Sequence, residues 1–326
     1  MKNSKEGIFF AILGTMLWGI SGNFAQYLFT RYQYSAFWVV GVRLIVAGFI
    51  ILVWSYIAVS RKEWRRFWHK ENIMQVLAFT FLGMVPSQLT YFCAIEWGNA
   101  STATVLQFMG PLFIIIYLAL RSRQLPRRVD IISIIIAIVG TVLLVTNGNL
   151  ASLSLAPLAL FWGIMAGVSQ ASYTLLPRKL LQEFDARLVT GAAMVVGGLT
   201  FLPIVITQPM PQITPMSLLS LGYIIIFGTM FAYLFYLKSL QTISPATTGM
   251  LSAFEPLTAT FVAMIWMQLQ MSPIEILGAV LILSTAFIQA LSLQTQSMNQ
   301  KINYQVTKTE HKFSLQRKMK GELKNE

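Results

Sequence analysis

GNASTATVLQFMGPLFIIIYLAL, residues 98–120, is apolar enough to cross a bilayer yet carries a proline at its centre. The stretch ISPATTGMLSAFEPLTATFVAMI, residues 243–265, repeats the arrangement 145 residues later and sets a glutamate before the proline. Hydrocarbon penalises an interrupted helix and, more strongly, a carboxylate. Matching interruptions in two distant apolar segments point to a duplicated membrane unit rather than to two accidents.

Composition agrees. The 326 residues are 56% hydrophobic and only 11% charged, too oily for a soluble domain of this size. Ten apolar runs are long enough to cross about 30 Å of hydrocarbon: residues 7–29, 34–59, 73–96, 100–120, 129–146, 154–176, 188–206, 216–240, 245–267 and 274–293. The expected fold class is an all-α integral membrane protein with ten transmembrane helices. The first run is too long for a cleaved leader and is followed by nine more, so it reads as a retained helix.

The net charge of +12 does not signal nucleic acid, because of where the cations fall. Lys2 and Lys5, then Arg61, Lys62, Arg65, Arg66 and Lys70, then Arg121, Arg123, Arg127 and Arg128, then Arg178, Lys179 and Arg187 occupy alternate connections. The other set of connections holds only Arg31. That asymmetry places both termini in the cytoplasm of a cell-membrane protein. Trp64 and Trp68 read as interfacial anchors, and Lys238 as a snorkelling one. The tail from 294 to 326, with seven Lys/Arg against three acids, reads as a basic cytoplasmic extension. One cysteine, Cys93, and two histidines, His69 and His311, leave no disulfide and argue against a metal site. No cofactor is expected, and the expected partners are a small-molecule substrate and the bilayer, with the chain a monomer or homodimer.

A shift of 145 residues aligns 82–140 with 227–285 without a gap. Gly83 meets Gly228, Tyr91 meets Tyr236, Thr102 meets Thr247, Pro111 meets Pro256, and Asp130 meets Glu275, each acid opening a late helix. In the first spans of the halves, WGISGNFAQ (Trp18–Gln26) echoes WGIMAGVSQ (Trp162–Gln170). The expected units are residues 5–146 and 152–293, five spans each. An odd number of spans forces the two copies into opposite orientations, the inverted-repeat plan of many secondary transporters.

LWG in span one, the arginine of GVRLIVAG in span two and EPL in span nine, on this ten-span layout, resemble EamA-type members of the drug/metabolite transporter superfamily. The Gly-Glu pair that members often carry after spans four and nine is absent, since those regions read RSRQL and MQLQM. The resemblance covers residues 5–292. It implies that spans 1–4 and 6–9 surround a cavity, with spans 5 and 10 outside. It further implies ATP-independent movement of a small metabolite, often outward. A lipid flippase on the same bundle is the alternative. An intramembrane enzyme is disfavoured, because there is no HExxH and no intramembrane histidine.

Pro111 and Pro256 remove backbone donors, freeing the carbonyls of Gln107 and Ser252, and mark hinges that expose polar backbone. Glu255 lies about ten residues into span nine, roughly 15 Å deep at the helical rise. Arg43 lies at comparable depth in span two. Charges at that depth face the interior, and these two either serve substrate or proton or pair with each other to fix packing. Trp18, Asn23, Gln26, Gln88, Tyr91, Gln107, Trp162, Gln170, Tyr233 and Tyr236 complete a candidate cavity of aromatic walls with a few fixed polar groups. A carboxylate beside aromatic faces suits an amine, and an arginine suits a carboxylate. Together they suggest an amino acid or similar zwitterion.

Overall fold

A computed structural model of the chain describes residues 2–123, 125–149, 155–209, 211–240, 243, 248, 251–285 and 287–288. The basic tail, most of the first turns of span nine and the end of span ten lie outside the described residues. Every described regular element is helical.

Helix α1 (Lys2–Tyr32) and α2 (Ala36–Ala58) are followed by a short connecting helix α3 (Arg61–Phe67). Span three is α4 (Lys70–Phe79), a π-helical segment Thr80–Met84, and α5 (Val85–Trp97). Span four is two pieces, α6 (Ala100–Gln107) and α7 (Gly110–Ser122), and span five is α8 (Arg128–Thr146). The second half runs α9 (Pro157–Leu175), α10 (Arg178–Glu183), α11 (Ala186–Thr200) and α12 (Leu202–Thr207). It continues with α13 (Pro215–Ile225), a π segment Ile226–Phe231, α14 (Ala232–Leu240), α15 (Phe254–Trp266) and α16 (Pro273–Thr285).

Among the described residues, six helical runs are long and apolar enough to cross a membrane: Lys5–Tyr32, Ala36–Ala58, Lys70–Trp97, Ala100–Arg121, Arg128–Thr146 and Pro215–Tyr236. The predicted run 188–206 is not one helix. Pro203 lacks the N–H that would continue it, so it divides at Phe201 into α11 and α12. The acids aligned by the repeat share one structural job. Asp130 Oδ2 accepts from the Arg127 backbone N–H at 2.9 Å, and Glu275 Oε2 accepts from that of Ser272 at 2.9 Å. Each acid closes the first turn of its helix by reaching back to the cap.

Glycine decides how closely the helices approach. In α2 and α11, a Cβ on Gly48 would sit 2.8 Å from Val195 N, and one on Gly198 would sit 2.8 Å from Ile45 N. The small-residue run from Gly191 to Gly198 therefore brings two backbones into contact, the arrangement that membrane helices use in place of a hydrophobic drive. Helices α8 and α16 meet the same way through Gly140 and Gly278, while Ile132, Ile135, Ile138 and Val280 point outward and stay exposed. The largest core cluster is built from α1, α2, α5, α9, α11 and their neighbours, with Leu28, Leu44, Phe92, Leu188 and Met194 fully buried.

Candidate functional site

The repeated WG…Q motif works by its spacing. Gly19, Gly22, Asn23 and Gln26 recur at helical intervals and form one face of α1. A Cβ on Gly19 would lie 2.5 Å from the Glu255 carbonyl oxygen, and one on Gly22 would lie 2.6 Å from the Tyr91 hydroxyl. Asn23 Nδ2 donates to the Ala259 carbonyl at 3.0 Å, clasping α1 to α15. In the second half, Gly163 and Gly167 press on Leu106, and Gln107 Nε2 approaches Gln170 Oε1 at 3.5 Å, so α9 clasps α6. The first helix of each half thus packs on the broken helix of the other.

Both breaks fall just before the prolines. α6 ends at Gln107 and α7 begins at Gly110, with Pro111 in its first turn, while α15 begins at Phe254 with Pro256 in its first turn. Pro256 is buried, whereas Pro111 is exposed. The expected freeing of the Ser252 carbonyl does not occur. It accepts from the Glu255 backbone N–H at 3.1 Å, a tighter three-residue turn that takes up the slack.

A second pair of interruptions has no proline alignment to announce it. The π segments of spans three and eight overlap under the 145-residue shift and contain the aligned Gly83 and Gly228. In span three Pro86 cannot donate to the Leu82 carbonyl, and Ser172 Oγ from α9 donates to it instead. In span eight Thr229 Oγ1 donates to the Ile224 carbonyl at 2.8 Å, replacing a backbone donor. Such π turns recur at functional sites because they widen a helix and leave backbone groups to be satisfied by side chains.

Arg43 rests on this bulge. It is 3% exposed, its Nε donates to Thr229 Oγ1 at 3.1 Å, and its guanidinium lies 4.5 Å over the Phe92 ring. Among the described residues it makes no other hydrogen bond and no ion pair. Of the two readings that their depth allowed, the Arg43–Glu255 ion pair is not formed among the described residues. Glu255 is half-buried, and among the described residues no group donates to its carboxylate. Tyr91 links the two charged residues, because its ring packs edge-on at 5.6 Å against the Phe92 ring that carries Arg43, and its hydroxyl faces Gly22, one turn from the Gly19 that abuts Glu255.

Aromatic rings build a wall here. Trp18 meets Tyr233 edge-on at 5.1 Å and Tyr236 at 5.2 Å, and Tyr173 meets Tyr233 at 6.3 Å. Gln88 Nε2 donates to the Tyr233 hydroxyl at 2.9 Å, fixing the ring that Trp18 packs against. The Tyr91 hydroxyl is buried and has no hydrogen-bond partner among the described residues. A buried polar group left unsatisfied costs about 1–3 kcal/mol, a cost that function commonly explains.

Arg43, Trp18, Gln88, Tyr91, Tyr233, Tyr236 and Glu255 therefore converge. Gln107 and Gln170 form a separate pair at the break of span four. Trp162 packs on Phe161 at 5.1 Å and on the main core. Gln26 has a structural task, since its Oε1 accepts from the Ala100 N–H at 2.9 Å and caps α6. Thr229, Phe92 and Tyr173 are additions that sequence reasoning missed. Only the alignment of Gly83 with Gly228 hinted at an irregular turn near Thr229.

A two-fold match accompanies this geometry. The family model of the EamA-like transporters fits residues 5–146 and again residues 157–290. The chain belongs to the EamA-like transporter family. It is 32% identical to the uncharacterized inner membrane transporter YicL of Salmonella typhimurium, over 89% of this chain and 97% of that protein. It is 26% identical to the threonine/homoserine exporter RhtA of Escherichia coli K12, over 72% of this chain and 77% of that one. A crystal structure 15% identical in sequence superposes with a TM-score of 0.59, covering 90% of this chain and 98% of the other, a likeness of fold alone. The protein is a multi-pass transporter of the cell membrane, built on a two-repeat helical architecture.

Proposed function

We propose that this transporter moves a small zwitterion, an amino acid or a close amine relative, outward across the cytoplasmic membrane without ATP. The observation that carries the reading is the pair of opposite charges on one aromatic wall, each without a counter-charge among the described residues. Intramembrane charges ordinarily pair or are used. In this reading Glu255 takes the ammonium, with Tyr91, Tyr233 and Trp18 around it, and Arg43 takes the carboxylate. The name of the relative RhtA, an exporter of threonine and homoserine, supports both the chemistry and the direction. Pro111, Pro256 and the two π segments supply the adjustable joints that alternating access needs.

The test is ligand stabilisation of the purified protein. A ligand of the folded state at 100 times its Kd raises apparent stability by about 2.7 kcal/mol. Small amino acids are expected to raise Tm, while the matching amine without a carboxylate and the matching acid without an amine raise it far less. Equal effects from the amine and the amino acid would remove Arg43 from the site. A response only to sugars or lipids would end the reading.

We further propose ten spans in two inverted units, residues 5–146 and 152–293, with both termini cytoplasmic. The loop charges support it. A reporter fused after residue 293 is expected to report cytoplasm, and one in the 147–153 connection the outside. An external C-terminus would overturn the inversion.

A further inference from the structure

Among the described residues away from the central wall, α3 gathers four cations, Arg61, Lys62, Arg65 and Arg66, in seven residues. Ser60 caps this helix by accepting from Glu63 N at 3.2 Å, and Phe67, wholly buried, pins it edge-on against Phe184 at 5.2 Å. Arg61, Lys62, Arg65, Arg66 and His69 line an open depression of about 430 Å³ beside it. Arg61 stands one turn from Arg65, and Lys62 one turn from Arg66. Each such like-charge pair works against the helix. The fold holds this helix against its own repulsion.

The nearby acids do not relieve it. Glu63 turns away, its Oε1 accepting from the Asp185 N–H at 2.8 Å. Asp185 is itself occupied by Arg187, whose hydrogen bonds hold its carboxyl below the usual range. Two of the cations are preset by protein contacts. Arg61 lies 4.3 Å over the Tyr56 ring and bonds its hydroxyl, and Arg66 lies 4.8 Å over Phe184 while donating to the Glu183 carbonyl at 2.7 Å. Lys62 and Arg65 are exposed, and neither side chain has a hydrogen-bond or ion-pair partner among the described residues.

We propose that this depression binds the phosphate-bearing headgroup of an anionic phospholipid. Preset arginines with free neighbouring donors suit a phosphate, which accepts several charge-assisted hydrogen bonds at once. A lipid is favoured over free phosphate by what adjoins the site. Trp64 and Trp68 stand on and just after the same short helix, the residue type whose amphipathic rings favour a membrane interface. The neighbouring end of α2 exposes Val53, Trp54 and Ile57, the last at 77%, an apolar track along which acyl chains can lie.

The experiment uses the full-length protein purified in a neutral detergent, with phosphatidylglycerol, phosphatidylcholine or inorganic phosphate added. Phosphatidylglycerol is expected to raise Tm saturably, with phosphatidylcholine and inorganic phosphate at equal phosphate giving little change. The exposed double variant Lys62→Gln with Arg65→Gln is expected to weaken phosphatidylglycerol binding about tenfold, or 1.4 kcal/mol. Its folded yield should stay normal, and Lys62→Arg with Arg65→Lys should bind as the parent does. The basic tail is common to all three proteins, so the difference reports α3. Equal effects of the two lipids, a full effect from inorganic phosphate, or unchanged binding by the glutamine variant would each overturn the proposal.

Discussion

Glu255→Gln is expected to abolish transport while leaving the folded yield near that of the parent. The substitution keeps the shape of the side chain and removes its charge. Because Arg43 is held by Thr229 and Phe92 rather than by Glu255, no partner is stranded, and the 3–5 kcal/mol cost of breaking a buried pair does not arise. What is lost is the contact with a cationic group of the substrate. Truncating one side of a desolvated charge pair costs about 2–5 kcal/mol, roughly 30-fold or more in affinity. Arg43→Gln should act on the other end of the ligand. It is expected to weaken the zwitterion severely and the amine lacking a carboxylate hardly at all. The double variant settles whether the two residues are a structural couple. Uptake into proteoliposomes, measured with folded yield in the same preparation, should find it as inactive as either single variant. Recovery of both transport and stability in the double variant would take Glu255 out of the binding site.

The sequence made the membrane class, the duplication and the interrupted helices readable, because each leaves a linear trace. Hydropathy marks the spans, and the shared position of Pro111 and Pro256 marks the breaks. The acids Asp130 and Glu275 were visible as helix openers for the same reason, since a capping box is a local bond. Other features depend on partners far away in the chain. The π segment in span eight rests on a Thr229 hydroxyl bond and carries no proline, so nothing in the local pattern demands it. Gln26 looked like a cavity residue, yet its oxygen caps a helix that starts at Ala100. Arg43 and Glu255 read as similarly deep in the sequence, but depth does not say which side chains meet, and Arg43's partners Thr229 and Phe92 were visible only in three dimensions.

Gly19→Leu is expected to produce the opposite signature to Glu255→Gln, a loss of stability that drags transport down with it. A Cβ at residue 19 would stand 2.5 Å from the Glu255 carbonyl oxygen and 2.9 Å from Ala259 N. Both are backbone atoms of α15, so no side-chain rotation relieves the clash, and α1 must move away bodily. That movement opens the Asn23–Ala259 bond, whose length is 3.0 Å, and leaves buried polar groups unpaired. Overpacking of this kind costs about 1–3 kcal/mol, and the lost hydrogen bond adds roughly 1–3 kcal/mol. The combined fall should show as a lower Tm and a lower folded yield. Gly222→Ala is the matched control, because a Cβ there meets nothing within 4 Å. It should be neutral or slightly stabilising, as an alanine is in an open helical position. Glu255 sits on the very turn that Gly19 admits, so the glycine sets how near the carboxylate stands to Trp18 and Tyr91. If Gly19→Leu had the stability of the parent, α1 and α15 would not meet at this turn, and the wall that presents Glu255 would have to be built differently.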